Sequence, residues 1–526
     1  LLLHGILLWF GCGFYLSILK SDISNQKRPF FQKFSSFWFF DFASDFDIRA
    51  SDLRPTGFWQ HAVNKRCVMR IEKDSLGEKQ VPDEALYGIH TVRSLENFDV
   101  AGERMPLEIV YGIVKLKWAC ARANKELDML DARRANAISD ACRKILAGGL
   151  ENQFPLDVFQ SGSGTSTNMN VNEVIANLAA ESLGGSKGDR SVIHPHDHVN
   201  MGQSTNNVIP SAIKIAGVEL SVKLVGSLRA LVAELKKKAQ EFTDVIKSGR
   251  THLSDAVPIR LGQEFMAYAC ALEKDIRRIE AARQKMLKMG IGGNAIGTGV
   301  NTKKDFRPVI IRELGVLTGV TYEGAENGVE ITQFLTDIAE MASALKLTAV
   351  DLQKICNDLR LLASGPNTGL AEIVLPAVEP GSSIMPGKVN PSICEAANMA
   401  CLQVMGNEYV VSLACSMGQL ELNTHMPLIG LHLVKAIKVL DRAAVMLAKK
   451  CIAGIAANRE KCRRYFETST GLATVLNPKL GYDRVAELVK ESKATGKTLR
   501  ELVVEKNIMP EAELDHILQH STEPNL

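Results

Sequence analysis

Leucine recurs at Leu220, Leu224, Leu228, Leu231 and Leu235, a spacing that stacks all five side chains on one face of a helix. The row sits in a stretch without proline from Ser211 to Val257. Similar proline-free stretches, rich in Ala, Leu, Met, Glu and Lys, run Leu261 to Met289, Val329 to Ala363 and Ser392 to Met426. Helical patterns longer than about 25 residues point to coiled coils or extended bundles. Sustained heptads are absent here, and small residues (Ala267, Ala269, Ala271, Gly406, Ala414, Gly418) interrupt the apolar faces. Such residues let backbones approach closely in a multi-helix core. The expectation is a mainly α protein in three domains: a mixed N-terminal one at 69–205, a central bundle of long helices at 206–460, and a C-terminal one at 461–526.

A net charge of +3 on 526 residues argues against a nucleic-acid surface. The basic run Lys236 to Lys238 has Glu234 and Glu241 beside it, as on a solvated helix face. Eleven cysteines occur without a CxxC pair or a Cys/His cluster, which removes zinc-ribbon and thioredoxin readings. Most lie in apolar helical stretches, so a reducing, cytoplasmic compartment is expected. Residues 1–68 hold eleven of the nineteen Phe and three of the four Trp, and the first Met is Met69. They read as an extension outside the enzyme, untranslated or disordered. A signal or anchor is the alternative, from the apolar run Gly5 to Leu19, but that run lacks a basic flank and falls short of the roughly 20 residues of a spanning helix.

Four polar motifs interrupt the helical patterns. GSSIMPGKVNP, Gly381 to Pro391, places Ser382, Ser383, Lys388 and Asn390 in a connection far longer than usual, and apolar anchors such as Ile384 and Met385 favour a functional lid over a disordered loop. Thr165 and Ser166 follow the glycine turn Gly162 to Gly164, which can aim backbone N–H groups at an anion or be a plain loop. Ser204, Thr205 and Asn206 precede a long helix, where Ser and Thr serve as N-caps and the same N-terminus attracts anions. Thr251 and His252 lie beside Arg250 and Asp255. A histidine there is structural or moves protons at neutral pH.

In order, SGSGTSTNMNVNE (Ser161 to Glu173), HPHDHVNMGQSTNN (His194 to Asn207), SGRTHLSDAVP (Ser248 to Pro258), GIGGNAIGTGVNT (Gly290 to Thr302), KICNDLRLLASGP (Lys354 to Pro366), GSSIMPGKVNP and GQLELN (Gly418 to Asn423) resemble the blocks of the aspartase/fumarase superfamily from about Met69 to the C-terminus. The resemblance implies a three-domain helical lyase that eliminates a C–N or C–O bond and releases fumarate. It implies Ser382 as the catalytic base on a mobile loop, assisted by Lys388, with Lys388, Asn390 and Ser383 on the α-carboxylate. It further implies substrate contact by Thr165, a carboxylate held by Ser204 and Thr205, the amino group held by Asn206 and His252, and a carboxylate contact from Thr251. A homotetramer with a multi-helix core is implied, each site drawing on three subunits. No cofactor is required; Mg2+ activation is a trait of some members, and no ligand set in this sequence points to it.

His90, Thr205 and GQLELN look like the aspartases, where fumarases tend to carry Ala-Gln, Ser and Gly-Asn-Phe. L-aspartate, fumarate and ammonia are therefore the expected small-molecule partners, with no nucleic acid and no membrane; a class II fumarase acting on malate is the alternative. A catalytically silent homologue is opposed by Ser382, His252, Lys388 and Asn390 all being present. Asn207, Asn367-Thr368 and Ser254 depart from the family pattern at positions without an assigned chemical role.

Overall fold

The structure, a computed structural model, describes residues 68–523. The chain begins there with an antiparallel hairpin, β1 (Met69–Asp74) and β2 (Gly77–Pro82), pairing Met69 with Pro82. Four helices follow: α1 (Ile89–Asn97), α2 (Leu107–Glu126), α3 (Ala132–Leu146) and α4 (Thr165–Ser182). No side chain of its own caps α1. Instead Glu173 of α4 accepts from the backbone N–H groups of Gly88, His90 and Thr91 at 2.8 to 3.1 Å, and Glu72 takes that of Ile89 at 3.0 Å. Two buried carboxylates thus satisfy the donors that open this helix.

The middle of the chain contains α5 (Thr205–Glu241), the hairpin β3 (Ile246–Thr251) and β4 (Ser254–Arg260), α6 (Leu261–Met286), β5 (Lys288–Met289), α7 (Phe306–Thr318), β6 (Glu323–Gly324), α8 (Gly328–Gln333), α9 (Thr336–Leu362), β7 (Ile373–Val374), α10 (Ser392–Cys415), α11 (Met426–Lys450) and β8 (Ala456–Ala457). Five long helices pack in a closed ring, α5 on α6, α6 on α9, α9 on α10, α10 on α11 and α11 back on α5. The leucine row faces the shared core: Leu224, Leu228, Leu231 and Leu235 are buried in it, and Leu220 packs against it. The fold is mainly α, as the periodicity requires. The last helices, α12 (Arg459–Thr468), α13 (Leu472–Leu480), α14 (Tyr482–Thr495), α15 (Leu499–Glu505) and α16 (Glu511–His520), bury a cluster of their own around Leu476, Leu502 and Val503. We propose the divisions at 205/206 and 460/461 as domain boundaries; they fall in the first turns of α5 and of α12.

Three helical stretches end sooner than absence of proline suggests. α5 stops at Glu241, and the residues up to Val257 turn into the β3–β4 hairpin, with a bulge between Ser248 and Arg250. α8 and α9 are separated at Phe334 and Leu335. α10 stops at Cys415, because the Asn423 side chain donates to the end carbonyls of Ala414 and Cys415 at 2.9 and 3.1 Å and so supplies the partners a helix C-terminus lacks. Conversely, α5 starts before Pro210 and runs through it. The proline removes one helical N–H, and a wholly buried turn holds the helix together across it.

No helix among the described residues is long and apolar enough to cross a membrane. The expectations for residues 1–68, the apolar run included, lie outside the described residues but for Val68. The fold closes on itself from Met69 onward: the Arg70 guanidinium donates to the carbonyls of Pro82, Ala85 and Tyr87 at 2.6 to 2.8 Å. A chain starting at Met69 is expected to match the full chain in turnover and unfolding midpoint. Loss of either on truncation would make the upstream residues part of the enzyme.

Candidate active site

The residues singled out in the sequence fall into three groups. Thr165 opens α4 and Thr205 opens α5, with Ser204 as the N-cap whose hydroxyl accepts from the Asn206 N–H at 3.3 Å. Asn168, one turn into α4, donates to Thr205 Oγ1 at 3.0 Å, so two helix N-termini meet, and their combined dipoles favour an anion there. The turn before α4 requires positive φ at Ser163 and Gly164 (63° and 85°), and a Cβ on Gly164 would meet Ile209 of α5 at 3.0 Å. The Gly418–Asn423 segment leads onto this turn, since Ser163 N–H donates to Thr424 O at 3.1 Å. Asn206 Nδ2 donates to Ala295 O at 2.9 Å, which identifies Oδ1 as the acceptor end of the amide.

Thr251 and His252 form the exposed end of the β3–β4 hairpin. His252 and Leu253 both have positive φ, 53° and 61°. Two-residue hairpins need this geometry and usually fill it with Asn-Gly. Held here by other residues, it is local strain at a candidate functional position. The base of the hairpin is anchored by charge: buried Glu372 pairs with Lys247 at 2.7 Å and Arg250 at 2.9 Å, and Lys247 also reaches Glu264 at 2.9 Å. Burial raises the Glu264 pKa against the opposing pull of Lys247.

The third group is the connection between β7 and α10. Ser382 Oγ accepts from the backbone N–H groups of Ile384 at 3.2 Å and Met385 at 3.0 Å. The neck of the loop is closed by Gly381 N–H on Lys388 O at 2.8 Å and by Asn390 Nδ2 on Gly381 O at 2.6 Å. One Asn390 hydrogen is therefore committed within the loop. Ser383 and Lys388 are exposed, and Ile384 is 83% exposed. Within one chain, no hydrogen bond or ion pair among the described residues joins any two of the three groups.

His90, a discriminating position in the sequence, lies on α1 with its ring Nδ1 buried and unpartnered. Burial, reinforced by His196, lowers its pKa, and no hydrogen bond ties it to Thr205. Asn207, where the family pattern has Asp, donates to Thr332 Oγ1 at 2.9 Å, while that hydroxyl donates to Gly328 O at 2.8 Å. Asparagine supplies the donor this position needs and aspartate could not. Sequence reasoning missed Asn168, Glu173 and Glu372. The run of Asn168, Asn170, Asn172 and Glu173 on one buried helix was the available signal, because buried polar side chains need partners.

Residues 77–406 match a lyase family and residues 472–522 match the fumarase C C-terminus. The chain is 45% identical over 447 residues to fumarate hydratase class II of Thermosynechococcus vestitus, covering 85% of this chain and 96% of that one. It is 43% identical over 456 residues to aspartate ammonia-lyase of Bacillus subtilis, covering 87% and 96%. The fumarate lyase:delta crystallin from Brucella melitensis bound to cobalt superimposes with a TM-score of 0.84 at 44% identity, covering 86% of this chain and 99% of that one. These matches show that the chain belongs to the aspartase/fumarase superfamily of lyases.

Proposed function

We propose that the chain catalyses the reversible deamination of L-aspartate to fumarate and ammonia, with Ser382 as the base. The observation that carries this reading is the pair of backbone N–H groups aimed at Ser382 Oγ. The Cβ proton of aspartate is weakly acidic, and a neutral serine is far too weak to remove it. Two fixed donors on the oxygen favour its alkoxide, and the reading assigns Lys388 to assist them. In the anti-elimination the Cβ proton moves to Ser382, a carbon–carbon double bond forms, and the C–N electron pair leaves with the nitrogen. Charge building on the neighbouring carboxylate is met by the donors of Thr165, Ser204 and Thr205, and such preorganised donors stabilise the transition state more than the ground state.

Asn206 is assigned to the substrate amino group. A substrate ammonium is donor-only and needs an acceptor, and the Asn206 bond to Ala295 O leaves Oδ1 free to accept. The second reading, a class II fumarase, is favoured by the Thermosynechococcus vestitus relative, 45% identical against 43% for the Bacillus subtilis aspartate ammonia-lyase. Parallel assays of fumarate release separate the two: kcat/KM for L-aspartate is expected to exceed that for L-malate at least tenfold, about 1.4 kcal/mol in barrier. Malate as the better substrate would make the chain a fumarase.

A homotetramer completes the proposal. On α10, Met399, Leu402, Tyr409 and Leu413 lie along one helix face and are 50% to 66% exposed, a stripe that needs cover. Second copies supply it, and each site then takes Thr165 and Ser204 to Asn206 from one chain, Thr251 and His252 from another, and the Ser382 to Asn390 loop from a third. The nine cysteines among the described residues are all free thiols, which fits residence in the cytoplasm.

A further inference from the structure

Thr205 is connected to the interior by a chain of side chains that no catalytic role explains. Asn168 is buried, and its amide nitrogen donates to Thr205 Oγ1 at 3.0 Å and to Asn200 Oδ1 at 3.3 Å. Both amide hydrogens are thereby used, while Asn168 Oδ1 is buried without a partner. Its orientation is therefore set entirely from the donor side. Asn200 cannot turn round to meet a flipped Asn168. Its Oδ1 also accepts from Lys117 Nζ at 2.7 Å and Asn172 Nδ2 at 3.2 Å, and its Nδ2 donates to Gln203 O at 3.0 Å.

Lys117 is wholly buried on α2, and no carboxylate pairs with it among the described residues. Burial pulls its pKa down to about 7, against the opposing influence of Cys120 and Cys142. The amine donates a hydrogen bond whether protonated or neutral, so Asn200 is held as an acceptor on both sides of neutrality. A reversed Asn168 would set two carbonyl oxygens against each other. Thr205 Oγ1 consequently accepts a hydrogen bond from the protein and has no acceptor among the described residues for its own hydrogen.

We propose that Asn168, locked by Lys117 and Asn200, is a positioning residue that makes the Thr205 hydroxyl an obligate donor toward the substrate carboxylate. It rests on the reading that Thr205 lines the substrate site. A carboxylate only accepts, so a threonine free to donate inward would show the anion its lone pairs and weaken binding.

The test is a double-mutant cycle in the full-length protein, reading KM for L-aspartate, kcat, and inhibition by succinate. Asn168→Asp puts an acceptor beside Thr205 and draws its proton inward; KM and the succinate inhibition constant are expected to rise about tenfold, with a smaller change in kcat. Lys117→Met is expected to move both constants in the same direction while the unfolding midpoint stays or rises, since an unpaired buried amine gives way to an apolar side chain. In the Thr205→Val background both substitutions are expected to lose most of their effect, because the hydroxyl they act through is gone. If Asn168→Asp does not fold, Asn168→Ser and Lys117→Met carry the same cycle. Should Thr205→Val weaken succinate binding while the Asn168 and Lys117 variants leave it unchanged, or should their effects multiply in full with that of Thr205→Val, the positioning role is wrong and the site assignment stands. Unchanged KM and succinate binding in Thr205→Val would overturn both.

Discussion

Ser382→Ala is expected to lower turnover more than about a hundredfold, as for loss of an essential base, while succinate still binds. The two effects separate because the groups are separate. Ser382 Oγ faces the N–H groups of Ile384 and Met385, and the carboxylate donors lie at the N-termini of α4 and α5. The substitution removes the oxygen on which those N–H groups converge and leaves the loop neck, held by Gly381, Lys388 and Asn390. Stopped turnover with intact dicarboxylate binding would mark Ser382 as a chemical group. Turnover near that of the unaltered protein would remove it from the mechanism, and joint loss of binding and folding would mark it as structural.

The bundle was legible because burial follows helical periodicity closely: four of the five leucines in the Leu220 to Leu235 row are buried as spaced. Helix ends were less legible. Absence of proline permits a helix but does not extend one, and the hairpin carrying His252 forms where Ile246 pairs with Arg260 and Lys247 with Ile259, ahead of the bulge between Ser248 and Arg250. The stop of α10 depends on Asn423, eight residues beyond it and reaching back, which local propensity does not register. Pro210 lies inside α5 without ending it, because proline restricts a helix only through one bond and its neighbours' packing decides the rest.

The candidate site was legible as residue types at fixed places, since Ser204 caps α5, Thr205 follows it, and the Ser382 loop lies between β7 and α10. What sets those side chains was not. Asn168 acts on Thr205 from another helix, and Glu372 steadies the hairpin of His252 from more than a hundred residues away. Both are buried polar groups whose meaning depends on which partner the fold brings within about 3 Å.

The most direct measurement of the shared site is the activity regained by mixed assemblies of two inactive variants, Ser382→Ala and His252→Ala. His252 sits on one exposed hairpin and Ser382 in another connection, with no bond between them in a chain. If each site takes the histidine and the serine from different subunits, unfolding the two variants together and reassembling them at equal amounts leaves about a quarter of the sites with neither substitution. Activity near a quarter of that of the unaltered protein is the expected result, with each variant inactive when reassembled alone. Mixed assemblies shown by exchange of labelled subunits, yet without any return of activity, would contradict a site built from several chains.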